Sequence, residues 1–500
     1  MLSLSSISKD NFEKILSNKM PEPDWILNNR KKTISLFSEL PFEVSSLYSK
    51  YTGLNLLDPQ KVFFSNDQSS ALSEELKIRY EEIKSSPSLI MLGTSIVHIH
   101  IPENLSRQGL IISSIEDAFK NHSDLLKKYF EDNESNYGLD RFLALGLSSF
   151  QSGFFIYVPK NMILNEPIRI VYSLGYDGLS SICRNIVISD IGSKATIVQE
   201  LYSPPTSSSS VSSNTTTNGI NNNENSTTIT NNGKINNFDK QQCYIEVLEC
   251  NVKPTAELEF ITLQAMDVAA VNISSRKAFV ERDGKMSWYS GLFGTNLSRY
   301  KIDSIMKGPG ASSEDVEIIF GTKKQLFDVS SNLDHDGYST RGRVLVKSVM
   351  KDESKSLFKG MIKIRKDAKT SEAYLAGHAI LLNKGSHSDA IPGLEIETNE
   401  VRATHSASVS QIDEEQIFYL MCRGLDRESA KREIVHGFVE PLSRKMDPFV
   451  RAWISYLFEN KWTGKPLLLK TDEVMAGILE VEKSRYKETA DIFEKHYKYR

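Results

Sequence analysis

The sequence predicts a mainly β fold flanked by helical regions, and three observations support this. From about Gly153 onward, roughly 230 residues form short segments rich in β-branched and aromatic side chains, separated by Gly, Asp, Asn or Pro. The segments before and after this array have apolar residues three and four positions apart, which is typical of helices. No helical segment interrupts the β array, so a sandwich, a barrel and a β-solenoid all remain possible. The turns show no exact period, but so long an array favours stacked coils, because each coil covers the apolar face of its neighbour.

Length and composition bound the architecture and the class of protein. The chain has 500 residues, of which 40% are hydrophobic, so we expect two or three domains or one extended repeat with a sizeable core. We predict a mainly helical N-terminal domain at 1–150, a β core at 151–410 and a helical C-terminal domain at 411–500. The net charge of −4 and the scattered basic residues give no reason to expect nucleic acid as the main partner. The first residues lack a basic flank followed by an apolar run, and no run of about 18 apolar residues occurs, so we expect a cytoplasmic protein without a membrane span.

The N-terminal region carries signals for three helices. Asp24 is placed to cap a helix that ends before Pro41. The apolar spacing predicts two further helices at 73–83 and 115–130. The stretch between them, SLIMLGTSIVHIHIP, has the alternation of a strand.

A polar segment interrupts the β array. Residues 203–237 are almost entirely Ser, Thr, Asn, Gly and Pro. Such a segment has too few apolar side chains to offset the entropy of ordering. We therefore predict a disordered insertion in a loop, without chemistry of its own.

Capping residues predict helices again at the end of the chain. Asp413 is placed to cap one helix that Gly424 ends, and Asp426 is placed to cap the next. Two more helical segments follow Pro441, and the last, at 472–500, is long, charged and amphipathic.

The cysteines do not form a recognisable metal or disulfide motif. None of Cys183, Cys243, Cys250 and Cys422 belongs to a C-x-x-C pair, so we expect free thiols in a reducing compartment. Cys422 lies beside apolar residues in a predicted helix, so we interpret it as a buried, inert thiol.

Catalytic motifs are also missing from the sequence. There is no phosphate-binding loop of the G-x-x-x-x-G-K-[ST] type, no G-x-S-x-G and no H-E-x-x-H. The GPG at 308–310 follows a strand but precedes no helix, so we interpret it as a turn.

Some histidines are candidates for metal binding. His98 and His100 share one strand face and can reach one metal ion, but no third ligand is near, which favours a structural role. The cluster at 334–336 can bind a metal as well, but an exposed β-turn before Gly337 fits it better.

Three further histidines lie near the end of the β array. His378 and His387 flank a strand, and each is interpreted as a surface or core residue rather than a ligand. His405 lies on the last strand, on the same face as Ala403 and Ala407, where small neighbours leave room for a ligand or a partner. The pattern alone favours a structural role for His405.

Several long segments resemble one known family. They are PDWILNNRKKTISLFSELPFE, ERDGKMSWYSGLFGTNLSRYKIDSIMKGPGASSE, and FKGMIKIRKDAKTSEAYLAGHAILLN followed by IPGLEIETNEVRATHSASVSQIDEEQIFYLMCRGL. They resemble the SufB/SufD family of iron–sulfur cluster assembly scaffolds. The resemblance implies a right-handed parallel β-helix between helical regions. It also implies a non-enzymatic scaffold that pairs with a second scaffold subunit and binds SufC-like ATPases.

The resemblance implies roles for parts of this chain. The edges of the β-helix are expected to pair with the partner scaffold, and the helices at 413–442 are expected to dock the ATPase. The candidate docking residues are Phe418, Tyr419, Arg423, Ile434 and Phe438. An iron–sulfur cluster is expected only transiently and in the complex. No residue supports a flavin site.

The resemblance favours a SufD-like over a SufB-like chain. Counted from Pro392, Ser386 stands where SufB-like chains carry a cysteine, and Ser406 follows His405 where they carry a glutamate. A serine cannot replace the soft thiolate ligand of a cluster. His405 matches the SufD histidine at the scaffold interface, where a neutral imidazole can ligate iron. The sequence reads Ala-Thr-His-Ser at 403–406 where SufD-like chains usually read CSHG.

Two alternatives remain open at this point. The chain can be a SufB-like scaffold that assembles a cluster as a homodimer. It can also be a β-helix carbohydrate lyase or hydrolase, but these enzymes need paired carboxylates or a metal-assisted base, and the sequence shows no such constellation.

Overall fold

The computed structural model describes most of the chain. Its described residues are 2–4, 22–37, 39–41, 43, 56–64, 74–132, 140–175, 179–203, 240–444, 446–467, 475, 477–478 and 480. Except for Ser203, the insertion predicted at 203–237 lies outside these residues, as does most of the helix predicted at 472–500.

The N-terminal part mixes helices with short strands. The helices are α1 (Asp24–Phe37), α2 (Glu74–Ile83), α3 (Glu103–Arg107), α4 (Ile115–Asn121), α5 (Ser123–Asp132) and α6 (Arg141–Ser149). The strands are β1 (Leu2–Ser3), β2 (Phe63–Phe64), β3 (Ser88–Leu92), β4 (Ser95–His100) and β5 (Ile111–Ser114). The helix predicted at 115–130 is thus two helices, because the backbone leaves the helical conformation at His122.

Sixteen strands follow, and three helices come after them. The strands are β6 (Phe154–Val158), β7 (Ile168–Ser173), β8 (Ser181–Ser189), β9 (Lys194–Tyr202), β10 (Cys243–Val252), β11 (Glu257–Gln264), β12 (Val271–Val280), β13 (Lys285–Leu292), β14 (Leu297–Met306), β15 (Ser312–Gly321), β16 (Leu326–His335), β17 (Arg341–Met350), β18 (Lys355–Ile364), β19 (Glu372–Leu381), β20 (His387–Ile396) and β21 (Arg402–Gln411). The helices are α7 (Glu414–Met421), α8 (Arg427–Ser443) and α9 (Pro448–Thr463).

The strands form a parallel β-helix with two sheets. One sheet has the order β20-β18-β16-β14-β12-β10-β8-β6-β5, and the other has the order β21-β19-β17-β15-β13-β11-β9-β7-β3-β4. From β8 onward, each strand pairs in parallel with the strand two positions earlier, so the chain alternates between the sheets in about eight turns. This confirms the stacked-coil architecture and excludes the sandwich and the barrel.

In-register stacking builds the core between the two sheets. Ile197, Phe260 and Trp288 occupy equivalent positions on consecutive strands and are buried. Because alternate side chains of a strand point to opposite faces, every second residue of each strand enters this interior. The register between strands therefore determines which side chains of each turn point into this interior, which we call the lumen.

Helices cover the outer faces of both sheets. The N-terminal helices pack Phe119 and Phe142 onto the sheet that ends in β20. The C-terminal helices pack on the other sheet, where the rings of Phe320 and Phe458 lie 4.6 Å apart. Among the described helices, none is both long and apolar enough to span a bilayer.

The predicted caps of the C-terminal helices are confirmed. The side chain of Asp413 accepts a hydrogen bond of 2.9 Å from the backbone N–H of Glu415. Asp426 likewise accepts bonds of 3.0 Å from the N–H groups of Glu428 and Ser429. Both caps satisfy donors that a helix start leaves unpaired.

Candidate functional site

The last turn of the β-helix is its open end. Strand β20 ends one sheet and β21 ends the other, and each pairs with a neighbouring strand on one side only within the described part of the chain. Side chains that would be buried in an inner turn are exposed here, for example Ile396 at 42% and Val409 at 40%. A β-helix end without a covering element leaves backbone groups and apolar side chains free to bind another chain.

The register directs His405 toward the lumen. Ala403 pairs with Ala373, His405 with Leu375, and Ala407 with Gly377. Leu375 is fully buried, and Ala403 packs against the core. Since residues in register share a face, His405 lies on the lumen face of β21, and it is exposed because no further turn among the described residues covers it.

The turn below His405 closes the lumen with apolar side chains. A Cβ placed on Gly377 would lie 2.3 Å from Cδ1 of Phe358, and one placed on Gly360 would lie 2.5 Å from Cδ1 of Leu375. These glycines leave the space that the larger side chains of Phe358 and Leu375 fill. The imidazole of His405 therefore lies next to an apolar layer formed by Phe358 and Leu375 at the open end of the β-helix. We name this layer the apolar floor.

At the open end of the β-helix, the imidazole of His405 offers one nitrogen ligand for a metal ion. The described residues contain no group of three or more His, Cys, Asp or Glu side chains that could hold a metal ion. A neutral imidazole is a common ligand for transition metals, but one nitrogen does not complete a coordination sphere. Any metal held by His405 needs its other ligands from elsewhere.

The cysteines on the strands are not available as thiolates. Burial raises the pKa of the Cys183 thiol to about 11, and it also raises the pKa values of Cys243 and Cys250. These thiols stay protonated near neutral pH, so they are poor ligands and nucleophiles. The interpretation of Cys422 as buried is wrong: this thiol is exposed, because it follows the last residue of α7, whose face points away from the core.

The burial of His335 differs from the prediction made from the sequence. It was expected in an exposed β-turn, but it is the last residue of β16 and is fully buried in the lumen. Its Nδ1 lies 2.8 Å from Oγ1 of Thr340, and burial lowers its pKa to about 4. Strand β16 extends through His335, so its side chain keeps its lumen position.

The remaining histidines lie apart from the open lumen. His378 is half-buried, with Nδ1 2.6 Å from Oγ of Ser408, and His387 is exposed, with Nε2 3.2 Å from Oδ2 of Asp389. His98 is at the opposite end of the same sheet, where its ring stacks on that of His100 at 6.4 Å between centroids. None of these side chains shares a metal-binding group with His405 within the described ranges.

Helix α7 presents an apolar surface beyond the last strand. Ile417 is its buried residue, whereas Phe418 is 68% exposed and Tyr419 55% exposed. The guanidinium of Arg423 lies 3.6 Å from the centre of the Tyr419 ring. An exposed apolar surface of this kind, with an arginine at its edge, is typical of a binding surface for another protein.

The docking residues predicted on α8 have less access to a partner. Ile434 is half-buried. Phe438 packs against the core between α8, α9 and the sheet, and Nζ of Lys347 lies 4.7 Å from its ring centre. The predicted docking set therefore divides into an exposed part on α7 and a part on α8 that contacts the β-helix.

The lumen contains a polar cluster that was not among the sequence predictions. Glu246 and Arg276 form a fully buried ion pair of 2.7 Å. Two turns along, the carboxyl groups of Asp315 and Glu317 are both fully buried on the lumen face of β15, and Ser331 donates a bond of 2.5 Å to Glu317. Burial raises the pKa of Asp315 to about 7, and it raises the pKa of Glu317 well above its usual value. The sequence signal was the alternation of charged with apolar residues, which reads equally well as a solvent-exposed strand face.

Comparisons with known proteins agree on one family. A family model described as the SufBD core domain of the SUF system for FeS cluster assembly matches residues 219–438, and a model of the SufBD protein N-terminal region matches residues 67–170. An iron–sulfur cluster assembly SufBD family protein of Staphylococcus aureus (strain USA300) is 25% identical over 455 residues, covering 87% of this chain and 89% of the relative. A protein of the same description from Staphylococcus saprophyticus is 26% identical over 456 residues with the same coverage.

Proposed function

The chain belongs to the SufBD family of iron–sulfur cluster assembly proteins, and from this premise we propose that it is a SufD-like scaffold subunit. It pairs with a SufB-like subunit in the cytoplasm, docks SufC-like ATPases and performs no catalysis of its own. His405 supplies a nitrogen ligand to a cluster site that both scaffold subunits share.

One observation carries this proposal: an exposed imidazole at the open end of the lumen, without enough neighbouring ligands to complete a metal site. His405 lies on the lumen face of β21, above the apolar floor that Leu375 and Phe358 form. Among the described residues, no group of three or more His, Cys, Asp or Glu side chains is available to complete a metal site there. A half-built site at an open edge fits a cluster whose other ligands come from a partner.

The edge strand β21 supports pairing with a second scaffold. It is ten residues long, and Arg402 is the one Lys, Arg, Asp or Glu residue in it. Edge strands usually carry prolines or inward charges that prevent pairing. The other edge strand, β20, has Pro392 at its centre, which removes an N–H donor. Strand β21 is therefore the better edge for main-chain pairing.

The exposed apolar face of α7 supports docking of an ATPase. Phe418 and Tyr419 are more than half exposed, and Met421 is 40% exposed, although they lie on a helix that α8 holds in place. Arg427 of α8 donates bonds of 2.7 and 2.6 Å to the carboxylate of Glu414 at the start of α7. A rigid helix with unburied aromatic side chains suits a protein partner.

The iron and sulfide of the nascent cluster are cargo in this proposal. The chain holds no cluster by itself, because its strand thiols are buried and protonated. The buried state of Cys183, Cys243 and Cys250 also argues against the alternative of a homodimer that assembles clusters on these strand thiols, and leaves Cys422 as the exposed cysteine. The carboxyl pair Asp315 and Glu317 does not support the carbohydrate-active alternative, because both side chains are enclosed in the lumen.

The test uses the chain together with SufB-like and SufC-like partners. The purified complex of the wild-type chain is compared with complexes of His405→Ala and of the control His387→Ala, which removes an exposed histidine from the neighbouring edge strand. We expect unchanged complex formation in both variants by size-exclusion chromatography with light scattering. Iron and sulfide content should fall at least about tenfold for His405→Ala only, as expected when a metal ligand is lost. Normal cluster content in His405→Ala would remove this histidine from the mechanism.

A further inference from the structure

A column of charged side chains crosses the outer face of the sheet that ends in β21. It consists of the first residues of seven consecutive strands of that sheet, which are stacked in register: Lys194, Glu257, Lys285, Ser312, Arg341, Glu372 and Arg402. We name this set the charged column. Read along the stack, cations and carboxylates alternate, with one exception at Ser312.

The alternation has a physical basis. Neighbouring strands in a sheet lie about 4.8 Å apart, so each side chain of the column lies next to the side chains before and after it. Opposite charges at such positions attract, and like charges repel. Nζ of Lys194 lies 3.1 Å from Oε2 of Glu257, and Nη1 of Arg402 lies 3.8 Å from Oε1 of Glu372. The pairs at both ends of the column thus follow the expected pattern.

Ser312 stands where the pattern requires an anion. Its two neighbours in the column are Lys285 and Arg341, both exposed and about 9–10 Å apart across two strand spacings. Neither of them forms an ion pair with any residue that the structure describes. The nearest acids of the column, Glu257 and Glu372, are paired with the cations on their far sides. Two cations therefore face a neutral hydroxyl between them.

A groove of about 450 Å³ opens at this position. Lys285, Ser312 and Arg341 line it together with Arg343, Tyr374 and Arg402, and the paired carboxylates of Glu314 and Glu372 also belong to the lining. Nη1 of Arg343 is 3.9 Å from Oε1 of Glu314, the acid that lies two residues from Ser312. The carboxylate of Glu314 also accepts a bond of 3.3 Å from the Tyr289 hydroxyl.

The carboxylate of Glu314 thus has Arg343 and Tyr289 as partners. Tyr374 belongs to the lining as well, so a ligand larger than a single ion also finds an apolar contact there.

We propose that this groove binds a phosphoryl group, free or as a small phosphomonoester, at Ser312 between Lys285 and Arg341. A guanidinium donates two parallel hydrogen bonds to a phosphate, an ammonium adds a point charge, and the serine hydroxyl donates a third contact. The doubly charged group supplies the anion that the charged column lacks. This site is separate from the open end of the lumen and does not depend on the role in cluster assembly.

Isothermal titration calorimetry tests the site with two probes, inorganic phosphate and phenyl phosphate, at constant ionic strength. The variant Ser312→Glu places a carboxylate at the break, so it should abolish binding of both probes and raise the thermal midpoint. Lys285→Gln and Arg341→Gln should each weaken binding about tenfold or more. Lys194→Gln removes a cation of the same column outside the groove and should leave the affinity unchanged.

Each outcome of the titrations supports or refutes one assignment of the groove. Tighter binding of phenyl phosphate than of inorganic phosphate assigns the groove to a phosphomonoester whose body contacts Tyr374, and equal binding assigns it to free phosphate. The site is refuted if the wild-type chain binds neither probe saturably. It is also refuted if Ser312→Glu binds as the wild type does, or if Lys194→Gln weakens binding as much as Arg341→Gln. All four substitutions are at the protein surface, and circular dichroism verifies that each variant folds.

Discussion

His405 lies directly above Leu375 in the parallel register of β19 and β21, so one lumen column ends in a buried leucine followed by an exposed imidazole. The two residues occupy equivalent positions on consecutive strands, yet their surroundings differ completely. Leu375 contributes to the core, whereas His405 makes no hydrogen bond to another described residue. Leu375 is therefore expected to contribute to the stability of the fold, and His405 to binding at the open end.

The first prediction follows from that contrast. His405→Ala should change the free energy of unfolding of the isolated chain by less than about 0.5 kcal/mol, because the side chain is exposed. Leu375→Ala should lower it by about 2–5 kcal/mol, since it leaves a cavity in the lumen. Urea unfolding followed by circular dichroism measures both. A large loss of stability in His405→Ala would mean that the imidazole is structural.

The glycines beneath the open end give the second prediction. Gly377→Ala should destabilise the chain by about 1–3 kcal/mol, because the added methyl group would overlap the Phe358 ring. Gly437→Ala is the matched control, since a Cβ there meets no atom within 4 Å. In the middle of α8 that substitution should stabilise by about 0.5–1 kcal/mol. Equal effects of the two substitutions on the unfolding midpoint would contradict the packing of the floor.

The third prediction concerns pH and the lumen carboxyls. Burial raises the pKa of Asp315 to about 7, and that of Glu317 is raised by burial and then by the charge of Asp315. A carboxyl with a raised pKa binds more protons in the folded than in the unfolded chain. Its contribution to stability is therefore present at low pH and is lost as the pH rises from about 4, the unfolded value, through the folded value near 7.

The double variant Asp315→Asn with Glu317→Gln tests this linkage. Between pH 5 and pH 8, the wild type should lose about 2–4 kcal/mol of stability relative to this variant. Glu353→Gln, which alters an exposed carboxylate, should follow the wild-type profile. Parallel pH profiles for the wild type and the double variant would show that the two carboxyls do not share a proton in the folded chain.

The fourth prediction concerns the apolar face of α7. Phe418→Ser with Tyr419→Ser should weaken binding of a SufC-like ATPase at least about tenfold, because buried aromatic side chains dominate interface energies. Stability of the isolated chain should change little, since both side chains are more than half exposed. Ile78→Ser, at a residue of α2 that is 48% exposed, is the control at a distant surface. Unchanged affinity in the α7 variant, measured by biolayer interferometry, would place the ATPase elsewhere.

Local signals in the sequence predicted much of the fold. Alternation predicted the strand that carries His405, and the spacing of Asp413 and Asp426 predicted two helix starts, because a cap depends on contacts within three residues. The array of short strands without helices predicted stacked coils. The break at His122 was missed, because 115–130 has continuous helical spacing.

The positions of individual side chains relative to the lumen required the structure. His335 was expected on the surface and is buried, and Cys422 was expected in the core and is exposed. The burial of His335 depends on the exact residue at which its strand ends, and the exposure of Cys422 depends on which face of a short helix it lies on. A difference of one residue changes the outcome in both cases.

The sequence by itself determined that this chain is a long array of strands between helices, and its motifs identified the family. Only the tertiary structure decided that the face of β15 with Asp315 and Glu317 points into the lumen, that Ser312 lies between Lys285 and Arg341, and that His405 lies at the open end. Such relationships depend on the register between strands roughly 30 residues apart in the chain, and that register is fixed by core packing rather than by any local pattern.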